Sequence, residues 1–171
     1  MSTPSCLDPA MLGLLMPMHV TLDAHGTIGG AGPTLVRLMQ GPPDGQSFFD
    51  LFEIRRPSGI TDPAELAQRA GQRLFLVARN LPATPFRGVM VPRIGGGMML
   101  NLSFGIGIVE AVRDHGLTHA DFAPTDLAME LLYLVEAKSA IMEELRALNL
   151  RLQGAKSMAE EQALTDTLTG L

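Results

Sequence analysis

The apolar positions in the last third of the chain step by four and three in alternation. Leu127, Leu131, Leu134, Lys138, Ile141, Leu145, Leu148, Leu152, Ala155 and Ala159 fall on one line, with Lys138 its polar member. A mean step of ~3.5 residues is the period of a left-handed coiled coil rather than of an isolated helix. No proline or glycine interrupts the run before Gly154. The pattern predicts one helix over 125–165, opened by Thr125 as N-cap behind Pro124, with the early negative charge of Asp126. Such a helix is roughly 60 Å long at ~1.5 Å per residue, more than a domain of ~125 residues encloses. A line held for about five heptads predicts a coil. The expected partner is a second copy, in a parallel homodimer through Leu127, Leu131, Leu134, Lys138, Ile141, Leu145, Leu148 and Leu152.

If Leu131, Leu145 and Leu152 occupy a positions, so does Lys138. A polar a residue costs stability but fixes register and keeps the strand number low. The flanking Glu130, Glu144 and Arg151, with Val135, Met142, Asn149 and Lys156, carry little pairing code. Ala155 and Ala159 bury little, so the seam weakens toward its C-terminal end.

Upstream the period changes. Pro9 to Leu15 reads as a short apolar helix that must pack on the domain or on a second copy. Met18–Leu22 and Thr27–Ala31 read as a hairpin closed by Asp23-Ala24-His25-Gly26. Pro33–Met39 is a short helix stopped by Gly41-Pro42-Pro43. Ser47–Ile54 is a second short apolar segment, and Asp62-Pro63-Ala64-Glu65 opens a third short helix. Three strands follow: Arg73–Arg79, then Phe86–Arg93 after the turn Pro82-Ala83-Thr84-Pro85, then Met98–Phe104, which alternates cleanly. The expected class is α+β, with one antiparallel five-stranded sheet and short helices before a long C-terminal coiled-coil helix.

Composition narrows the function. Net charge is −5, and residues 125–171 hold 8 acidic against 4 basic side chains. That is no footprint for nucleic acid. The longest uncharged run, Ile94 to Val109, has 16 residues and five glycines, too short to span a membrane. With no basic leader, a cytoplasmic protein is expected. The single cysteine, Cys6, is read as a thiol in a loose leader rather than a redox sensor.

Candidate chemistry is sparse. Gly26, Gly29, Gly30 and Gly32 lie within the hairpin, not between a strand and a helix, so they do not match a phosphate loop. His115 and His119, with Asp114 and Asp121 near, have metal-like spacing but no defined helix or third ligand. They are read as connector residues, and His19 as a packed strand residue. No catalytic, metal or cofactor-binding residue is assigned.

Three separated words resemble one family. Leu15-Met16-Pro17-Met18-His19 through Leu22-Asp23, with Gly26, Ile28 and Ala31-Gly32-Pro33-Thr34-Leu35, resembles the opening of the haem–nitric-oxide-binding-associated (HNOBA) domain. Phe48-Phe49-Asp50-Leu51-Phe52-Glu53-Ile54-Arg55-Arg56-Pro57 resembles a second word of it. Gly116 through Asp126 resembles the segment leading that family into its signalling helix. The order ββ, helices, βββ and outgoing helix is that of a PAS domain. The resemblance implies a PAS-like regulatory domain over 16–124, behind a leader at 1–15, and a signalling coil over 125–165. It implies a dimer coupled to a haem-based nitric oxide sensor in a separate partner, with no haem in this chain.

Asp166-Thr167-Leu168-Thr169-Gly170-Leu171 resembles the opening of GGDEF diguanylate cyclase domains. Asp166, Leu168, Thr169, Gly170 and Leu171 are the implied output linkage, 166–171 being the start of a domain cut short. GTP and Mg belong to that missing domain, so this chain is not expected to be an enzyme. The implied function is transmission from the sensor to a cyclase output in cyclic-di-GMP signalling. The rival reading is a PAS-type sensor that binds a small molecule between sheet and helices.

Overall fold

The structure, a computed structural model, describes residues 7–170; Cys6 and Leu171 lie outside the described residues. The chain divides into a unit ending at Ala128 and a helical unit from Met129.

The first unit is built on one antiparallel sheet in the order β2-β1-β6-β5-β4-β3. Strands β1 (His19–Leu22) and β2 (Ile28–Ala31) form the expected hairpin. Asp23 closes its turn, one carboxylate oxygen accepting from the amides of His25 at 2.8 Å and Thr27 at 2.9 Å. Strand β3 is Phe52–Arg56, β4 is Arg73–Ala78, β5 is Leu81–Pro92 and β6 is Met98–Ser103. The first and last strands in sequence, β1 and β6, are neighbours inside the sheet, with Val20 opposite Leu100.

The sheet has six strands where the sequence predicts five. The extra one begins within the apolar segment Ser47–Ile54, which splits into helix α3 (Phe48–Leu51) and the start of β3, and runs on to Arg56. Phe52 and Ile54 turn inward while Glu53 and Arg55 face out, a period of two. The preceding Phe48 and Phe49 hide that alternation. Phe48 and Phe52 are both fully buried, their rings stacked at 4.9 Å. Each such burial is worth ~1.5–3 kcal/mol.

Strand β5 also starts earlier than expected. Pro82-Ala83-Thr84-Pro85 is not the turn; the chain reverses at Arg79-Asn80, and Ala78 pairs with Leu81. The ladder then slips, and the next pair is Val77 with Pro85. Prolines offer no N–H to a ladder, and a bulge accommodates them.

Helices α1 (Pro9–Leu15), α2 (Pro33–Leu38) and α4 (Pro63–Ala67) each carry proline in the first turn. In α1 only Gly13 is buried, while Met11, Leu14 and Leu15 remain exposed. The cap of α2 is backbone. The amides of Thr34 and Leu35 donate to the Pro17 carbonyl at 3.0 and 3.4 Å, and the Gly32 amide to that of His19 at 2.8 Å. A Cβ at Gly32 would run into the Pro17 carbonyl, so the residue there must be glycine. His19 is buried, with Nδ1 2.8 Å from the Met16 carbonyl. A carbonyl only accepts, so Nδ1 carries the proton.

The core gathers Val20, Leu22, Leu74, Leu76, Phe86, Met90 and Leu100 from the strands. Leu35, Phe48 and Leu66 join it from the short helices. Beyond β6, helix α5 (Ile108–His115) is about two turns long and extends the predicted 109–113 by one residue before and two after.

Candidate functional site

The segment between α5 and the long helix is held by a clasp. Gly116 ends α5 in the left-handed region, at φ 59°. Thr118 and Asp121 then form a capping box around one 3-10 turn, His119–Asp121. The Thr118 amide donates to Asp121 Oδ2 at 2.7 Å and its hydroxyl to the same oxygen at 3.2 Å. From α2, Arg37 Nη1 lies 2.7 Å from both Asp121 oxygens, while Nη2 donates to the Gly116 carbonyl at 2.7 Å. The Thr34 hydroxyl donates to the Asp121 carbonyl at 2.7 Å, and both residues are buried.

Burial pushes the Asp121 carboxyl up. The Thr118 amide, the Arg37 guanidinium and the Thr118 hydroxyl outweigh it and hold the group below its ordinary value. Arg37 is half in water, at 49% side-chain exposure against 11% for Asp121. Solvent therefore screens the charge pair, and its worth is modest. The net effect is to fix the backbone from Gly116 to Phe122 against α2.

The second feature is helix α6 (Ala128–Thr169), 42 residues. At ~1.5 Å per residue it is about 63 Å long. It begins at Ala128 rather than at Thr125. The Asp126 carboxylate accepts the Ala128 amide at 3.1 Å, satisfying the first free amide of the helix, and among the described residues the Thr125 hydroxyl makes no such bond. Leu127 sits in the turn before the helix, so the seam begins on α6 with Leu131.

Leu131, Leu134, Ile141, Leu145, Leu148 and Leu152 are between 49 and 66% exposed, and Lys138 is exposed in the same line. Tyr133, Val135, Met142, Leu150 and Met158 are exposed off that line. In a straight helix a heptad line drifts by ~20° per repeat, so this one stays on one face only if two helices supercoil.

The helix continues past the seam. Gly154 does not break it, and it runs unbroken through Asp166 and Leu168 to Thr169. The hydroxyls of Thr165, Thr167 and Thr169 donate back to carbonyls one turn earlier, at 2.8, 2.7 and 3.0 Å. Gly170, at φ 66°, ends it. Of the residues expected to form an output linkage, Asp166, Leu168 and Thr169 are thus helical, Gly170 is the terminating residue, and Leu171 lies outside the described residues.

The candidate metal-like group is dispersed. His115 Nε2 is 2.8 Å from the Thr84 hydroxyl, Asp114 pairs with Arg113, and Asp121 pairs with Arg37. Among the described residues no three His, Cys, Asp or Glu side chains gather as a metal site would need. Among them also, no helix is long and apolar enough to cross a membrane. The clasp itself is absent from the sequence reading. Its local half, Thr-x-x-Asp at 118–121, is a legible capping box. Its other half, Arg37, is 84 residues distant, and no sequence spacing points to it.

No family model matches this chain, and no curated protein matches it.

Proposed function

We propose that this chain is a dimerising signal-transmission segment: a PAS-like regulatory domain of HNOBA type followed by a signalling coiled coil. The observation that carries the reading is α6, a 42-residue helix with a heptad line of exposed leucines and isoleucine interrupted by Lys138 alone between Leu131 and Leu152. An isolated helix leaving that line in water gains nothing from it. A parallel partner buries it, at ~0.8 kcal/mol per CH₂ removed from water. The order ββ, helices, βββ and outgoing helix supports the PAS-like assignment, with β3 an added strand at the sheet edge.

In this reading the domain meets a haem-based nitric oxide sensor held in a separate protein. The coil passes the change to a cyclase output, a diguanylate cyclase by the resemblance of 166–171. Coupling requires two arrangements of the coil close in energy, with the partner binding one better than the other. The Ala155–Ala159 stretch is where the seam holds least and where such a change costs least. No catalytic role is assigned to the chain itself.

The test is sedimentation equilibrium. The wild-type chain should be a dimer at micromolar concentration, and the pair Leu145→Asp with Leu148→Asp should be a folded monomer. Wild-type protein that stays monomeric at about 100 μM, a concentration at which even weak interfaces associate, refutes the proposal.

A further inference from the structure

The face of the sheet turned away from the core carries an open groove of about 670 Å³ across β4, β5 and β6. Its size falls among small-molecule sites, which span ~300–1,000 Å³. The strand register lays out the side chains. Arg73, Val89 and Asn101 stand abreast in one row, and Phe75, Arg87 and Ser103 in the next. They alternate along their strands with the buried Leu74, Met90 and Leu102, and so share the outer face. Arg73 and Arg87 both line the groove. They are diagonal neighbours on adjacent strands, with Cα atoms ~7–8 Å apart, a span over which two long side chains reach one group.

Arg87 is held in place. Its guanidinium carbon lies 5.6 Å from the centroid of the half-buried Phe75 ring. Gly105 packs against it as well: φ there is 57°, and a Cβ would come within 2.7 Å of Arg87 Nε. Half-buried and fixed, this guanidinium has no carboxylate and no hydrogen-bond acceptor among the described residues. The exposed Arg73, Asn101 and Ser103 side chains have no partner among them either. The chain carries a net charge of −5, yet among the described residues no carboxylate lines this groove. Glu110 and Asp114 of α5 border a neighbouring cleft that Arg87 also touches, and neither forms an ion pair with it.

We infer that this groove binds a dianionic oxyanion of the phosphate monoester class. Two unpaired guanidinium groups match two negative charges, and each fork offers paired N–H groups to a pair of oxygens. The Asn101 amide and the Ser103 hydroxyl add uncharged donors on the β6 side. A lone carboxylate has one charge and leaves one arginine unmatched. The organic part of the ester lies along Val89, which is 38% exposed between Arg73 and Asn101. Neither the coil nor the family resemblance enters this assignment.

Calorimetric titration of the full chain at about pH 7.5 tests it, with phenyl phosphate and inorganic phosphate as probes and benzoate and succinate as controls. One-to-one binding of phenyl phosphate is expected, with inorganic phosphate weaker for want of a group on Val89. Benzoate has one charge and succinate splits its two between separate carboxylates, so each should bind about tenfold or more weakly. Below about pH 6 the phosphate takes up a proton, and its binding should weaken. Arg73→Gln and Arg87→Gln should each weaken phenyl phosphate by about tenfold. Asn101→Asp, on the exposed face, brings a carboxylate into the groove and should cost at least as much; it decides the matter even if Arg87→Gln unfolds. The pair Glu110→Gln with Asp114→Asn should leave binding intact, and binding that appears only in that pair assigns Arg87 to α5 and overturns the inference. So does no binding of phenyl phosphate up to about 10 mM. Equal binding of inorganic phosphate, benzoate or succinate, or arginine variants without effect, overturns it too.

Discussion

Replacing Asp121 with alanine removes both halves of the clasp at once. Its carboxylate accepts the Thr118 amide and hydroxyl, and it meets Arg37 Nη1 at 2.7 Å on each oxygen. Loss of the capping half costs about 1 kcal/mol, within a range of ~0.5–2. Loss of the Arg37 contact adds ~0.5–1 kcal/mol, because half the arginine is in water and the pair is screened. The sum is ~1–3 kcal/mol. At about 4 °C per kcal/mol for a domain of this size, the melting temperature should fall by ~4–12 °C. Asp121→Asn keeps an oxygen for Thr118 but turns a donor toward Arg37, so it should lose about half as much.

The pH dependence has a fixed sign. The folded-state pKa of Asp121 lies below the ordinary 3.8, so the carboxylate's contribution is complete above that value. It is lost as pH falls through the lower, folded value. The gap between wild type and Asp121→Asn should be flat from about pH 5 to 8 and close as the solution is acidified below about pH 4. Circular dichroism melts at fixed protomer concentration measure both effects, since association also moves the transition. A double-mutant cycle with Arg37→Gln should give a coupling of ~0.5–1 kcal/mol. An Asp121→Ala melt within about 1 °C of wild type, or strict additivity with Arg37→Gln, would refute the reasoning.

Other substitutions probe the helix and the α2 junction. If the proposed dimer buries Lys138 on its seam, Lys138→Ile should raise the dimer's stability by ~1–3 kcal/mol, and light scattering should detect species larger than two strands. An unchanged melt and mass would place Lys138 off the seam, its ammonium reaching water along the flank. Gly32→Ala should cost ~2 kcal/mol or more in denaturant titration, because its methyl meets the Pro17 carbonyl that caps α2. Gly154→Ala is the opposite case: it lies inside α6 with nothing within 4 Å, and should gain ~0.5–1 kcal/mol.

Local pattern carried much of this architecture. The long helix was legible because Leu131, Leu134, Ile141, Leu145, Leu148 and Leu152 repeat every seven residues without a breaker before Gly154. The hairpin at 18–31 was legible from its turn residues, Asp23 to Gly26, and the strand Met98 to Ser103 because a period of two survives when only one face is buried. Strand β3 was not, since Phe48, Phe49, Phe52 and Ile54 mix a helical turn with a two-residue period inside one apolar run. The turn before β5 was misplaced for a related reason. Pro82 and Pro85 signal a break, but a bulge lets them stay in the strand once β4 supplies the rest of the ladder. Thr125 carries an N-cap signal, but the helix starts three residues later, at Ala128, whose amide donates to Asp126.

What no local pattern contains is pairing across the fold. Arg37 finds Asp121, Thr84 finds His115, and Pro17 caps α2, each through contacts that the sheet order brings together. The sequence determines which segments become helix and strand, because propensity and periodicity act over a few residues. Only the tertiary structure decides which side chains meet, because the chain must first close the loops between them and bury the core that holds them there.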